Sequence, residues 1–251
     1  PRSGARVRRW AMRRASAYQA TSQRLGGLLV DAGFQKAKIL SLPNAVDTSR
    51  FEGASQGSRQ RRLALCGERQ LVGIFVGRLE AEKGLDLLIE AWAQSFAQRA
   101  DVALLLVGGG RLLEPLKAQA HARGIGGQVV FAGPQDRVED FLPLADFGLL
   151  TSQFEGLSNS LLEYMAASLP VVGSKVSGTE DWVVDGHTGW LFPPGDVPAL
   201  VHALRAVGAC TPEELSRRGR VARDWVVRSA SIPAVVQGLQ TTYQQLEADC
   251  D

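Results

Sequence analysis

Short runs of consecutive apolar residues alternate with helical stretches from residue 71 to about residue 192. The apolar runs cover residues 71–76, 102–107, 129–131, 147–150, 170–172 and 190–192. A strand that is apolar along its whole length is buried on both faces, and parallel strands need long, usually helical, connections. The alternation therefore predicts an α/β fold, a doubly wound parallel sheet of Rossmann-like type with helices on both faces.

Helices are predicted between and after these strands from apolar periodicity and capping signals. They cover residues 85–96, 111–123, a short helix at 138–143, a helix that begins near Asn159, and residues 197–207, 212–227 and 232–248. Before residue 71 the pattern is less regular, with an Arg-rich helix at 5–16, short strands at 17–21 and 38–42, and a helix that Ser22 caps. A loop at 53–58 and a basic helix lead into the regular part.

The charge balance and the cysteines exclude several classes of protein. The 251 residues carry a formal net charge of +2, which gives no general argument for binding nucleic acid. The three cysteines lie far apart and in no metal-ligand pattern, so neither a disulfide framework nor a metal site is expected. No apolar run approaches the length of a membrane span, and no signal peptide is visible. We therefore expect a cytoplasmic protein.

A loop with two cations follows the first regular strand. Arg78 and Lys83 flank a turn at the carboxyl end of that strand, and a helix begins directly afterwards. A guanidinium and an ammonium group beside a helix amino terminus suit the oxygens of a diphosphate. The alternative is a solvated loop in which Arg78 and Lys83 are neutralised by Glu80 and Glu82.

Two glutamates flank the start of the helix after the fourth regular strand. If this helix begins near Asn159, the stretch from Gly156 to Ser160 offers unpaired N–H groups, and Gly156 lets a ligand approach the backbone. Asn159 and Glu163 then share one helix face, where a carboxylate can accept two hydroxyl groups such as those of a ribose. Glu155 lies before the helix and can reach whatever extends beyond the phosphates. The alternative for Glu163 is an ordinary first-turn acid that stabilises the helix dipole.

Three consecutive glycines, Gly108–Gly110, follow the second regular strand. They resemble a dinucleotide-binding turn only loosely, because the G-x-G-x-x-G run is incomplete and no acid follows at the expected distance. We interpret them as a tight turn, which disfavours a dinucleotide-dependent oxidoreductase.

Taken together, the ordered motifs resemble the retaining glycosyltransferases of GT-B fold, family 4 (glycosyl transferases group 1). The matching stretches are PNAVD at residues 43–47 with Phe51, VGRL at 76–79 with Lys83 and Gly84, FEGLSN at 154–159, LEYMAA at 162–167, PVV at 170–172, SGTE at 177–180, and Asp185-Gly186 with Gly189. Glu155 and Glu163 occupy the two positions of that family's E-x7-E motif. Each stretch alone is a weak signal, whereas the ordered set is specific.

The resemblance implies which residues do the chemistry. Arg78 and Lys83 are expected to hold the diphosphate of the donor and to stabilise the charge that builds on it as the glycosidic bond breaks, without a metal ion. Glu155, the third residue implied to be catalytic, is expected to contact the donor sugar. No cofactor is implied, because the nucleotide sugar, a UDP-, GDP- or ADP-sugar, is the substrate.

The resemblance also implies a set of binding residues around the donor. Glu163 is expected to bind the ribose hydroxyls. Gln135, in the loop after the third regular strand, is expected to lie beside the base. The groups expected around the sugar and the phosphates belong to Gly156, Leu157, Ser158, Asn159 and Ser160.

The resemblance extends over residues 17–248 and corresponds to the carboxyl-terminal, donor-binding half of such an enzyme. We expect residues 1–42 to be a remnant of the amino-terminal, acceptor-side domain, 43–231 the nucleotide-sugar-binding domain, and 232–251 a helix that crosses back. The chain alone is expected to be inactive or nearly so, and the acceptor, a saccharide or a lipid-linked saccharide, to bind the other domain. The Arg-rich start is best interpreted as a solvated helix, with peripheral contact at the inner face of the membrane left open.

Three other interpretations stay open at this point. The first is another enzyme of the same architecture, such as a GT-B-type epimerase or a sugar-phosphate synthase. The second is a non-catalytic module that binds a nucleotide sugar, and the third is the disfavoured oxidoreductase domain. Two departures from the family's pattern, Ala45 and Ser168 where glycine is common, lie outside the expected donor contacts.

Overall fold

The computed structural model describes residues 15–52 and 57–248. Most of the predicted helix at 5–16 and of the predicted loop at 53–58 lies outside the described residues. The strands are β1 (Tyr18–Ala20), β2 (Ile39–Ser41), β3 (Leu71–Val76), β4 (Val102–Val107), β5 (Val129–Gly133), β6 (Phe147–Leu150), β7 (Val171–Ser174) and β8 (Gly189–Phe192). The helices are α1 (Gln23–Asp31), α2 (Ser58–Cys66), α3 (Leu85–Phe96), α4 (Leu113–Ala122), α5 (Asn159–Ala166), α6 (Val197–Gly208), α7 (Pro212–Ala230) and α8 (Ile232–Ala248).

Strands β3 to β8 form a six-stranded, entirely parallel sheet in the order β5-β4-β3-β6-β7-β8. All six residues of β3 and all six of β4 are buried, because helices cover both faces. Neighbouring residues of β3 enter opposite cores: Phe75 packs with Trp92 and Phe147, whereas Ile74 packs in the core that contains Tyr164. The predicted parallel sheet with continuous apolar strands is therefore confirmed.

One predicted helix is wrong. Residues 138–143 do not form a single short helix but two successive 3-10 turns, Val138–Asp140 and Leu142–Leu144. Pro143 lies in the second turn and has no N–H group to donate to a preceding carbonyl, so the first turn cannot propagate into an α-helix.

The strand order places β3 next to β4 on one side and next to β6 on the other. Chain connections from β3 onward run first to one side of the sheet and later to the other, so the gap between β3 and β6 is a topological switch point. Ligands of open α/β sheets bind at the carboxyl ends of the strands that flank such a point. The loops after β3 and β6, which hold most of the predicted site residues, therefore meet at this edge.

The amino-terminal strands β1 and β2 form a separate two-stranded parallel sheet. Ser22 caps α1 as predicted, since its side chain accepts a hydrogen bond from the N–H group of Leu25 at 3.1 Å. This part contacts the rest of the chain through a hydrogen bond of 2.8 Å between the hydroxyl groups of Ser22 and Ser177. None of the residues of α1 is buried.

Candidate functional site

The loops after β3 and β6 are held together at the carboxyl edge of the sheet. The hydroxyl group of Thr151 donates to the carbonyl oxygen of Lys83 at 2.7 Å, and the N–H group of Gln153 donates to the carbonyl of Glu82 at 3.0 Å. Gly84 has φ 61°, and a Cβ atom there would overlap with the carbonyl oxygen of Thr151. The close approach therefore requires glycine at position 84.

The ammonium group of Lys83 lies 2.5 Å from Oε2 of Glu155, so two of the predicted catalytic residues form an ion pair. The hydroxyl group of Ser152 donates to the same oxygen at 2.9 Å. The two side chains of the pair are only 16% and 21% exposed. Lys83 is thus not neutralised by Glu80 or Glu82 within its own loop. The alternative of a solvated loop with internal ion pairs is therefore wrong for Lys83.

Arg78, by contrast, does pair within its loop. Its guanidinium lies 2.9 Å from Glu82, and its side chain is 74% exposed. The carboxylate of Glu80 forms an ion pair of 3.1 Å with the guanidinium of Arg111. Hydrogen bonds from the backbone and side chain of Arg111 lower the pKa of Glu80. An exposed pair such as Arg78 with Glu82 contributes little to stability. The Arg78 guanidinium can therefore exchange Glu82 for an anionic ligand at small cost.

Helix α5 begins at Asn159, as predicted, and Ser158 at its amino-terminal cap makes no capping hydrogen bond with its side chain. The first N–H groups of a helix have no partner within it, so they can bind an anion. The side chain of Asn44 supports this loop by donating to the carbonyl of Leu157 at 3.3 Å and to Oδ1 of Asn159 at 2.9 Å. The Ser160 hydroxyl instead donates to a carbonyl of β3 at 2.8 Å. A ligand would therefore be bound by the N–H group of Ser160 and not by its hydroxyl.

Glu163 is half-buried on α5, beyond a first turn that contains no acidic residue. The alternative interpretation, a first-turn acid, is therefore wrong. Burial raises the pKa of Glu163, nearby Arg50 lowers it, and nearby Glu139 raises it further. Arg50 and Glu139 form an ion pair of 2.6 Å. The sequence motifs did not indicate Arg50, because a lone arginine in a short turn carries no signal of its own.

Replacing Glu163 by glutamine should make the protein more stable at neutral pH. Its raised pKa means that the folded state holds the proton more tightly than the unfolded chain, so this group destabilises the fold as the pH rises from the ordinary value of 4.5 through the folded-state value. We expect the midpoint of thermal unfolding of Glu163→Gln to exceed that of the unmodified chain at neutral pH, with a gain that shrinks toward pH 4. Glu114→Gln is the control, because the Glu114 side chain is 76% exposed. An equal gain at both pH values would contradict the linkage.

A cavity of about 590 Å³ opens beside the loop after β3, on the side of β4 and β5. Its walls include Gly77 and Arg78, the turn Gly108–Gly110, and Pro134 with Gln135. A nucleoside fits a cavity of this size. The side-chain NH2 group of Gln135, which also lines the cavity, donates to the carbonyl of Ala132 at 2.8 Å.

The Gly108–Gly110 turn does more than reverse the chain. A Cβ atom at Gly108 would overlap with the carbonyl oxygen of Gly77, and one at Gly110 with the carbonyl oxygen of Leu79. The glycines therefore allow the loops after β3 and β4 to lie against each other and to form one wall of the cavity.

A second cavity, of about 560 Å³, lies beside the amino-terminal ends of β6 and β7. Its cations are already paired, Arg50 with Glu139 and Arg223 with Glu52, and no predicted site residue lines it. We therefore place the site at the other edge of the sheet. Within residues 15–52 and 57–248, no cluster of three or more His, Cys, Asp or Glu residues could hold a metal ion. No helix in this part of the chain is both long and apolar enough to cross a membrane.

Solved structures share this fold. The chain superposes with a TM-score of 0.80 on Anabaena Alr3699/HepE in complex with UDP and glucose, at 22% identity, over 93% of this chain and 63% of that one. It also matches the C-terminal domain of a glycosyl transferase group 1 family protein (LpcC) from Francisella tularensis, with a TM-score of 0.66, 20% identity, 75% of this chain and 100% of that one. This likeness confirms the predicted fold class, a Rossmann-like sheet of the kind found in GT-B glycosyltransferases.

Curated relatives are similar in sequence. A 2-deoxystreptamine glucosyltransferase of Streptomyces kanamyceticus is 30% identical over 225 residues, which cover 88% of this chain and 58% of the relative. A GDP-mannose-dependent alpha-(1-6)-phosphatidylinositol monomannoside mannosyltransferase of Mycolicibacterium smegmatis is 31% identical over 201 residues, 76% of this chain and 52% of the relative. The chain thus spans about half the length of the curated relatives that it matches.

The sequence profile of one family, described as Glycosyl transferases group 1, matches residues 60–225. This stretch runs from α2 through α7 and contains Arg78, Lys83, Glu155 and Glu163. Because the match extends over more than half of the 251 residues, the chain belongs to the glycosyl transferases group 1 family.

Proposed function

We propose that this chain is the donor-binding half of a retaining, family 4 glycosyltransferase that uses a nucleotide-diphosphate sugar. One observation carries the proposal: the partly buried pair of Lys83 and Glu155 lies next to the uncapped start of α5, at the switch point of the sheet. Cations and free helix N–H groups suit the oxygens of a diphosphate, and Arg78 of the same loop lines a cavity large enough for a nucleoside.

The proposed chemistry is departure of a nucleoside diphosphate from the anomeric carbon of a sugar. As that bond breaks, negative charge builds on the diphosphate, and Lys83, Arg78 and the N–H groups at the start of α5 stabilise it. Fixed dipoles and cations need little reorganisation during the reaction, which is why such stabilisation is effective. Neither a cofactor nor a metal ion is needed for this step, and the sugar is transferred with retention of configuration at the anomeric carbon.

The other groups bind the rest of the donor. In our proposal Glu163 accepts hydrogen bonds from the ribose hydroxyls, and its elevated pKa is lowered again when donors of the ligand replace lost water. The cavity beside Gly108–Gly110 takes the base, with backbone groups near Pro134 and Gln135 at its edge. Glu155 faces the sugar. In support, Anabaena Alr3699/HepE has been solved with UDP-glucose and one relative is described as GDP-mannose-dependent, so the base is left open.

We further propose a partner domain on the amino-terminal side that carries the acceptor, a saccharide or a lipid-linked saccharide. Helix α1 buries none of its residues, and its Leu28 is 56% exposed. The small β1–β2 sheet has three-residue strands, which are marginal without further packing. Leu42 packs near Gly238 of α8, so α8 lies against the same boundary. Of the segments 1–42 and 232–251, the described residues 15–42 and 232–248 thus fit the border of a larger, cytoplasmic enzyme, and the chain alone should turn over poorly.

Titration calorimetry with UDP, GDP and ADP tests the donor site. We expect at least one nucleotide to bind the chain, and the double variant Arg78→Ala, Lys83→Ala to weaken that binding at least about tenfold, because each cation contributes a charge-assisted hydrogen bond of about 1.5–3 kcal/mol. Arg205→Ala is a matched control, since Arg205 lies in α6 and is bonded to a carbonyl of α3.

The result decides between the candidate functions. The donor-site assignment would be wrong if none of the three nucleotides binds, or if the double variant binds a nucleotide as tightly as the unmodified chain does. Nucleotide binding that is retained in a longer protein without any sugar transfer would favour the non-catalytic module instead.

A further inference from the structure

Three hydroxyl side chains at the carboxyl ends of β6 and β7 are almost completely buried. Thr151 is 1%, Ser152 2% and Ser174 0% exposed. Buried hydroxyl groups cost free energy unless they are hydrogen-bonded, so their partners indicate what they hold in place. The chemistry proposed above assigns none of them a role.

Two of these hydroxyls hold the two halves of the ion pair. The Thr151 hydroxyl donates to the carbonyl of Lys83 at 2.7 Å, and the Ser152 hydroxyl donates to Oε2 of Glu155 at 2.9 Å. The third hydroxyl fixes the backbone of Ser152, since the Ser174 hydroxyl donates to the carbonyl of Ser152 at 2.6 Å. The ion pair is therefore tied to the ends of two neighbouring strands.

Both donors to Glu155 use the same oxygen. The ammonium group of Lys83 and the hydroxyl group of Ser152 both bind Oε2, at 2.5 Å and 2.9 Å, and no described residue donates to Oε1. Rotation of the carboxylate about its Cγ–Cδ bond would move Oε2 away from both donors, so the two bonds oppose that rotation. The second oxygen is then left as an oriented acceptor.

We propose that Ser152 is a positioning residue that holds the Glu155 carboxylate so that Oε1 accepts a hydroxyl group of the donor sugar. When a diphosphate enters, it competes with Glu155 for the Lys83 ammonium, since both are anions. The neutral Ser152 hydroxyl is tied to Glu155 and keeps the carboxylate in place during that exchange. This inference rests on the proposed donor site and specifies how that site recognises the sugar part of its substrate.

The test separates sugar recognition from nucleotide recognition. Calorimetry on the full chain compares UDP with UDP-glucose and GDP with GDP-mannose, and the ratio of the two dissociation constants of a pair measures what the sugar contributes. In Ser152→Ala we expect affinity for the free nucleotide within twofold of the unmodified chain. The relative affinity for the nucleotide sugar should fall about fivefold, which corresponds to one hydrogen bond. Ser95→Ala is the control, because the Ser95 hydroxyl is bonded within α3 at 2.7 Å.

A double-variant cycle shows whether Ser152 acts through Glu155. In the Glu155→Gln background, Ser152→Ala should change the ratio little further, because the group that it positions is already altered. A second fivefold change there, an equal loss for nucleotide and nucleotide sugar, or an unchanged ratio in Ser152→Ala would each overturn the positioning role while leaving the donor site standing. If no nucleotide binds the unmodified chain, the donor site and this inference both fall.

Discussion

Gly219→Ala is expected to lower the free energy of unfolding by about 2–4 kcal/mol. Gly219 is buried in the interior of α7, and a Cβ atom there would overlap with the carbonyl oxygen of Ser168. Alanine is the better helix former by about 1 kcal/mol, but that gain is smaller than the cost of separating two packed backbones. The sign of the change is therefore set by the contact and not by helix propensity.

The contact arises from the way α5 ends. Ser168 follows this helix with φ 61°, a left-handed conformation that is unusual for a residue other than glycine, and its carbonyl faces α7. Neither backbone can withdraw easily, because Ser168 lies only three residues before buried β7 and α7 packs along α5. The departure from the family pattern at Ser168 and the glycine at 219 thus meet in one contact.

Thermal and urea unfolding check this prediction. For a chain of this size a loss of that magnitude lowers the unfolding midpoint by about 5–15 °C. Gly27→Ala is the matched control, since a Cβ atom at Gly27 of α1 would meet nothing within 4 Å, and we expect its stability to be unchanged or slightly higher. Equal midpoints for Gly219→Ala and the unmodified chain would show that the two helices can separate freely.

Gly108→Ala should both destabilise the protein and impair the nucleotide site. Gly108 has φ 141°, where a side chain is strained, and a Cβ atom there would overlap with the carbonyl oxygen of Gly77. Gly77 is the residue before Arg78, so relief of the overlap shifts the loop that carries this cation. We expect a loss of about 2 kcal/mol in stability and at least about tenfold weaker binding of the nucleotide.

The neighbouring glycine supplies the control for this site. A Cβ atom at Gly109 would lie 3.3 Å from the Pro134 ring, the closest heavy atom, although Gly109 lines the same cavity. Unfolding and calorimetry of Gly109→Ala should therefore resemble those of the unmodified chain much more closely. If Gly108→Ala binds nucleotide as tightly as Gly109→Ala does, the two loops do not form one rigid wall.

Element types and several element ends were predictable because they depend on neighbours in sequence. The bounds predicted for β3, α3, β4 and β6 agree with the structure, since β3 and β4 end at a glycine, β4 and β6 begin after an aspartate, and α3 begins after a glycine. Where the local signal was weak, the prediction erred: β5 extends to Gly133, and the stretch around Pro143 forms two turns.

The candidate site was predictable in its members but not in its contacts. Lys83 and Glu155, 72 positions apart, were each selected by a local motif. Nothing in that motif distinguished Glu155 as the partner of Lys83 from Glu80 or Glu82, which lie in its own loop. Ser152 and Arg50 carried no signal, because serine and arginine are common in such positions and only their partners make them notable.

By itself the sequence determined that the sheet is parallel and buried on both faces, and that the cations and glutamates lie at its carboxyl edge. These conclusions follow from periodicity and from the direction of each strand, which are local properties. Only the tertiary structure decided that β6 lies beside β3, and therefore that Lys83 pairs with Glu155 while Arg78 stays exposed beside Glu82. The physical reason is that strand order depends on the packing of the whole core, which the alternation of strands and helices does not encode.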